Sequence, residues 1–168
     1  MATIREGQRS VLLVVDMQVG VVAPAWEAER AVENAALVVR RAREAGVPVI
    51  WVQHHDEELP QGSAAWQWVP SLAPQEGELR VHKQHNSAFE ATPLEAELAR
   101  LGVTHLVLAG AATNWCIRAT AYAALERGYD LTLVGDAHTT RDTPLENGQV
   151  LSAQGLSLIH ISEPTRPL

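Results

Sequence analysis

The chain has 168 residues, of which 20 are Asp or Glu, 13 are Lys or Arg and 46% are hydrophobic, for a formal net charge of −7. That balance argues against a nucleic-acid partner or an anionic membrane surface and favours a small-molecule ligand. The single cysteine, Cys116, excludes an internal disulfide; with no basic-then-apolar leader and no apolar run of bilayer length, one cytoplasmic domain with a sizeable core is expected.

Ser10-Val11-Leu12-Leu13-Val14-Val15-Asp16 is a continuous apolar run closed by a carboxylate, the pattern of a parallel strand buried on both faces. Residues 27–45 repeat apolar side chains at Ala28, Val32, Ala35, Ala36, Val39 and Ala42, which places them on one helical face, and Gly46 stops the helix. A second strand follows over 47–54. Residues 56–78, with Pro60, Gly62, Pro70, Pro74 and Gly77 and no period, read as a long loop.

Leu79–Lys83 reads as a third strand. Thr92-Pro93-Leu94-Glu95 has the residues of a capped helix start, and that helix runs to Leu101 before Gly102. A strand over His105–Gly110, a helix over Thr113–Arg127 and a strand over Leu131–Asp136 complete the alternation. Thr143-Pro144-Leu145-Glu146 repeats the helix-start pattern. This order predicts an α/β fold of three layers, α/β/α, with a mostly parallel central sheet and ligands at the carboxyl ends of its strands. The expected domain is 1–156. Residues 157–168 resemble read-through of a sequencing-library adapter, as in metagenomic gene fragments, so a non-native tail in place of a native C-terminal helix is expected.

Asp16, Lys83 and Cys116 all fall at or just past an expected strand end. A thiol where a strand hands over to a helix meets backbone N–H groups, which favour its thiolate. Taken singly, Cys116 better suits a small buried apolar side chain and Lys83 a solvated surface, whereas Asp16 suits a helix cap and a catalytic role equally.

Four dispersed motifs change that balance. Val14-Val15-Asp16-Met17-Gln18, Lys83 with Asn86-Ser87-Ala88-Phe89, Gly110-Ala111-Ala112-Thr113-Asn114-Trp115-Cys116-Ile117, and Gly128-Tyr129 with Asp136-Ala137 resemble the isochorismatase-like cysteine hydrolases, in order across about residues 8–150. The resemblance implies a triad of Asp16, Lys83 and Cys116. It also implies a cis peptide between Ala111 and Ala112, with the N–H groups of Ala112 and Cys116 forming an oxyanion site. Dimers or tetramers are usual for the family, so a homo-oligomer is implied.

The family's cysteine members cleave C–N bonds of small amides, lactams, carbamoyl and ureido compounds through a thioester, without a cofactor. The stretch Asp136–Asp142 favours a branch similar to the streptothricin hydrolases. The runner-up is a metal-dependent nicotinamidase, for which His54-His55-Asp56 offers similar ligand types. That branch's Asp-x-His arrangement and its later histidine are missing here, so no metal is expected. A non-catalytic small-molecule-binding relative is the third reading. Gln18, Trp26, His54, Trp66, Phe89 and Trp115 are candidate substrate-pocket residues, with packing as the alternative for the aromatic ones.

Overall fold

The computed structural model describes residues 8–162, the side chains of 158–162 excepted. Its frame is a five-stranded parallel sheet in the order β3-β2-β1-β4-β5, formed by Arg9–Val15 (β1), Val49–His54 (β2), Leu79–Lys83 (β3), Val103–Ala111 (β4) and Asp130–Thr139 (β5). Helices are Val19–Val22 (α1), Ala28–Glu44 (α2), Leu94–Arg100 (α3), Arg118–Glu126 (α4) and Ala153–Ser162 (α5). A π-helical turn, Thr113–Ile117, precedes α4.

The unbroken apolar run of β1 follows from its central place. Val11, Leu13 and Val15 enter one core with Val52, Leu98, Leu108 and Tyr129, whereas Leu12 and Val14 enter the other with Ala35, Val39 and Trp51. Successive strand side chains alternate faces, so a strand covered on both sides must be apolar at every position. The expected three-layer α/β fold is the one observed.

Several boundaries moved. The 143–146 segment forms no helix: Thr143–Pro144 (β6) pairs antiparallel with Val150–Leu151 (β7). The turn Asn147-Gly148 decides this, since Gly148 takes φ +81 and Leu145 N–H donates to Gln149 O at 2.8 Å. The last helix starts at Ala153, whose N–H is held by Asp142 Oδ1 at 2.8 Å. Helix α3 begins at Leu94, one residue later than its Pro93, while Thr92 Oγ1 still accepts from Leu94 N–H at 3.3 Å. Ser157, first residue of the expected tail, is buried within α5; residues 163–168 of that tail lie outside the described residues.

The chain runs outward from β1 to β2 and β3, then returns to place β4 and β5 on the other side, so the reversal lies between β1 and β4. Crevices outside the carboxyl ends of such strands bind ligands. Gly110 sets the spacing there. It faces Val15 in register with φ +135, and a Cβ at this position would lie 2.0 Å from Val15 O. Only glycine fits such a close approach of two backbones. No helix among the described residues is long and apolar enough to cross a membrane.

Candidate active site

A cavity of about 420 Å³ opens over this crevice, with Asp16, His54, Asn86, Ala112, Trp115, Cys116, Thr140 and Arg141 in its lining. Asp16 follows β1 directly and has φ +50, a left-handed conformation that aspartate tolerates better than most residues, and its N–H is held by Val52 O at 2.9 Å. Lys83 ends β3, and Cys116 sits in the π-helical turn after β4. The Ala111–Ala112 peptide is cis.

Tertiary structure brings the three together. Lys83 Nζ donates to Asp16 Oδ2 at 2.7 Å, to Cys116 Sγ at 3.2 Å and to His85 O at 3.1 Å. Both members of the Asp16–Lys83 pair are buried, and among the described residues Asp16 Oδ1 has no hydrogen-bond partner. Burial by itself would lower the Lys83 pKa, but the charge of Asp16, then that of Cys116, holds it above the ordinary lysine value.

The thiol behaves differently from the sequence expectation. Burial, followed by the negative charge of Asp16, pushes the Cys116 thiol up to about 12, against the opposing effect of Lys83. The resting sulfur therefore carries its proton. N–H groups at the start of the turn do not outweigh desolvation and a neighbouring carboxylate.

Of the six candidate pocket residues, His54 and Trp115 line the cavity, and Trp115 is 52% exposed. Gln18 is instead a buried clamp: Nε2 donates to His54 O and Trp66 O, both at 2.9 Å, while Oε1 accepts from His54 N–H at 2.8 Å. Trp66 is stacked on His82 with ring centroids 5.8 Å apart, outside the cavity lining. Phe89 belongs to the core, beside Tyr129 and beneath the Arg127 guanidinium, and packs there instead of lining the cavity. Trp26 lines a shallower neighbouring cavity with Pro24, Ala25, Arg141 and Asp142.

The long loop is pinned down. Val69 N–H to Met17 O at 3.0 Å, Val19 N–H to Gln67 O at 2.9 Å and Gly20 N–H to Ala65 O at 2.8 Å lay residues 65–69 along residues 17–20. Its far end is anchored by Glu78, which accepts from Arg43 Nε at 2.7 Å and Trp51 Nε1 at 2.7 Å. Trp68 meets Trp51 edge to face at 5.3 Å, which leaves neither loop tryptophan covering the cavity.

Asp56, Asn86, Thr140 and Arg141 were not singled out from sequence as pocket residues. Asn86 lies within a quoted motif, and Thr140 and Arg141 follow directly after β5, so position past a strand end was the available signal. Thr140 Oγ1 donates to Asn114 Oδ1 at 2.5 Å, which ties the end of β5 to the turn that carries Cys116. His54 Nε2 meets Asp56 Oδ2 at 2.8 Å, and His55 tilts toward His82 with centroids 6.5 Å apart. Among the described residues, no three or more His, Cys, Asp or Glu side chains gather as metal ligands.

Residues 10–155 match the isochorismatase domain family. The chain is similar to a streptothricin hydrolase from Streptomyces noursei, 36% identical over 145 residues that cover 82% of this chain and 57% of that protein. It is also similar to a maleamate amidohydrolase from Pseudomonas putida, at 32% identity over 79% of this chain and 75% of that protein. Among solved structures, an isochorismatase from Pseudomonas putida KT2440 superposes with a TM-score of 0.85 at 29% identity, covering 92% of this chain and 82% of the other.

Proposed function

The chain belongs to the isochorismatase family, and from that premise we propose that it is a cysteine-dependent hydrolase that cleaves a C–N bond of a small amide, lactam, carbamoyl or ureido substrate. One observation carries this reading. Lys83 Nζ holds both the Asp16 carboxylate, at 2.7 Å, and the Cys116 sulfur, at 3.2 Å, at a cavity lined by the latter two. The name of one relative, a maleamate amidohydrolase, supports an amide as the substrate.

The chemistry starts from the protonated thiol. As Sγ attacks the substrate carbonyl carbon, its proton passes to Asp16, whose Oδ1 has no hydrogen-bond partner among the described residues. The ammonium of Lys83 then balances the charge that the sulfur loses to the substrate. The proposed donors to the tetrahedral oxyanion are the N–H groups of Ala112 and Cys116, and a good donor of this kind is worth roughly 3–4 kcal/mol. Asp16 returns the proton to the leaving nitrogen as the C–N bond breaks, leaving an acyl thioester on Cys116. Water, deprotonated by Asp16, cleaves the thioester and the thiol is restored.

A panel of half-amides of dicarboxylic acids, lactams and ureido acids, assayed for ammonia or ring-opened product, tests the reading. Acid-quenched mass spectra should show an acyl adduct on the peptide containing Cys116. The Cys116→Ala variant should lose both turnover and adduct; retained turnover in a folded Cys116→Ala protein overturns the mechanism.

A further inference from the structure

Among the described residues Lys83 has four polar neighbours, but it has only three protons to donate. Besides Asp16, Cys116 and the His85 carbonyl, the fourth is His54 Nδ1 at 3.3 Å. An ammonium has no lone pair, so His54 can meet it only through an unprotonated Nδ1. The ring proton then resides on Nε2, which faces Asp56 Oδ2 at 2.8 Å.

Both ends of this arrangement are fixed. Asp56 Oδ1 accepts from the N–H groups of Glu58, at 2.9 Å, and Leu59, at 2.7 Å, so the carboxylate is built into its own turn. The peptide of His54 is gripped on both sides by Gln18. His54 and Lys83 are register partners on neighbouring strands, which explains why the lysine must cross the end of β2 to reach Asp16. The groups facing His54 are therefore Lys83 from β3, Asp56 from the following turn and, beyond Lys83, Asp16 after β1 and Cys116 after β4.

We propose that His54, oriented by Asp56, is a positioning residue whose Nδ1 holds Lys83 between Asp16 and Cys116. An apolar side chain in its place would offer the ammonium no lone pair, and the contact at 3.3 Å would be lost. This rests on the cysteine-hydrolase reading above, and the experiment separates the two.

The probe is p-nitrophenyl acetate, followed at pH 8 as the pre-steady-state burst of p-nitrophenolate from acylation of Cys116. A burst that survives in Cys116→Ala overturns the hydrolase reading itself. With that control clean, His54→Leu should slow acylation at least tenfold at pH 8. His54→Asn places an acceptor near the Nδ1 position, so it should acylate at least fivefold faster than His54→Leu. Equal rates in the unmodified and His54→Leu proteins, or His54→Asn no faster than His54→Leu, overturn the proposal. Nitrogen-15 spectra of histidine-labelled protein at pH 8 add a readout independent of turnover: the His54 proton should be on Nε2, and a proton on Nδ1 overturns the proposal.

Discussion

The Lys83 ammonium lies 2.7 Å from the Asp16 carboxylate although β2 separates the strands that these residues follow or end. Both side chains are buried, so each charge depends on the other. Removing one partner of such a pair costs about 3–5 kcal/mol, because the remaining charge is left without compensation, whereas removing both is much less costly. Asp16→Asn and Lys83→Met should each lower stability in urea unfolding, and the double variant should be more stable than the sum of the two losses. Strict additivity would show that the pair is not coupled.

Asp16→Asn also separates two roles of the carboxylate. As the proposed base it is needed for turnover, and its loss should reduce the rate by about 10²–10⁴. As a negative charge beside the sulfur it raises the thiol pKa, so its loss should make Cys116 more acidic and speed alkylation by iodoacetamide at pH 8. Slower turnover with slower alkylation would contradict this division. Circular dichroism on the same sample verifies that the fold persists.

Stability should fall in alkali through the same thiol. In the unfolded chain Cys116 ionises near 9.0, whereas in the folded protein its proton is held to about 12. The unfolded state therefore loses the proton first, and the thiol's contribution is complete below pH 9 and lost as pH rises toward 12. The raised pKa of Lys83 has the same sign at higher pH. Between pH 8.5 and 10.5 the melting temperature of Cys116→Ala should decline less steeply than that of the unmodified protein, and parallel curves would refute this.

Gly110→Ala should abolish the site. Its Cβ would sit 2.0 Å from Val15 O and 2.8 Å from Val15 N, both backbone atoms, at a φ of +135 that side chains resist. Forced apart, β1 and β4 would no longer hold Asp16 and Cys116 over one cavity. Insoluble protein, or soluble protein lacking activity and melting well below the parent, is the expected outcome; an active, equally stable variant would rule the argument out.

Glu78 offers a test of the loop anchor. Burial alone would raise its carboxyl pKa, but the Arg43 and Trp51 contacts and the Gln75 N–H hold it below the ordinary value. A lowered pKa contributes stability that is present above about pH 4.5 and lost as pH falls through the folded value. Glu78→Gln should cost about 1–3 kcal/mol at pH 7 in urea unfolding, with a smaller difference from the parent at pH 4. An equal loss at both pH values would mean that the carboxylate's charge is not what matters.

Sequence determined the alternation of strands and helices, the double-sided burial of β1 and the strand-end positions of Asp16, Lys83 and Cys116, because these follow from local periodicity and from short motifs. It misjudged the 143–146 segment, where Thr-Pro-Leu-Glu fits a helix start but the Asn147-Gly148 turn closes a hairpin instead. It also left Phe89 open between core and pocket. That choice depends on Tyr129 and Arg127, about 40 residues away, being packed around the ring.

Tertiary structure alone decided the electrical state of the site. The distance from Lys83 to Asp16, the protonated thiol and the contact with His54 arise from strand order and burial, and charge interactions grow as water is excluded. Residue types set which groups could react, whereas the fold set which of them hold protons and face one another.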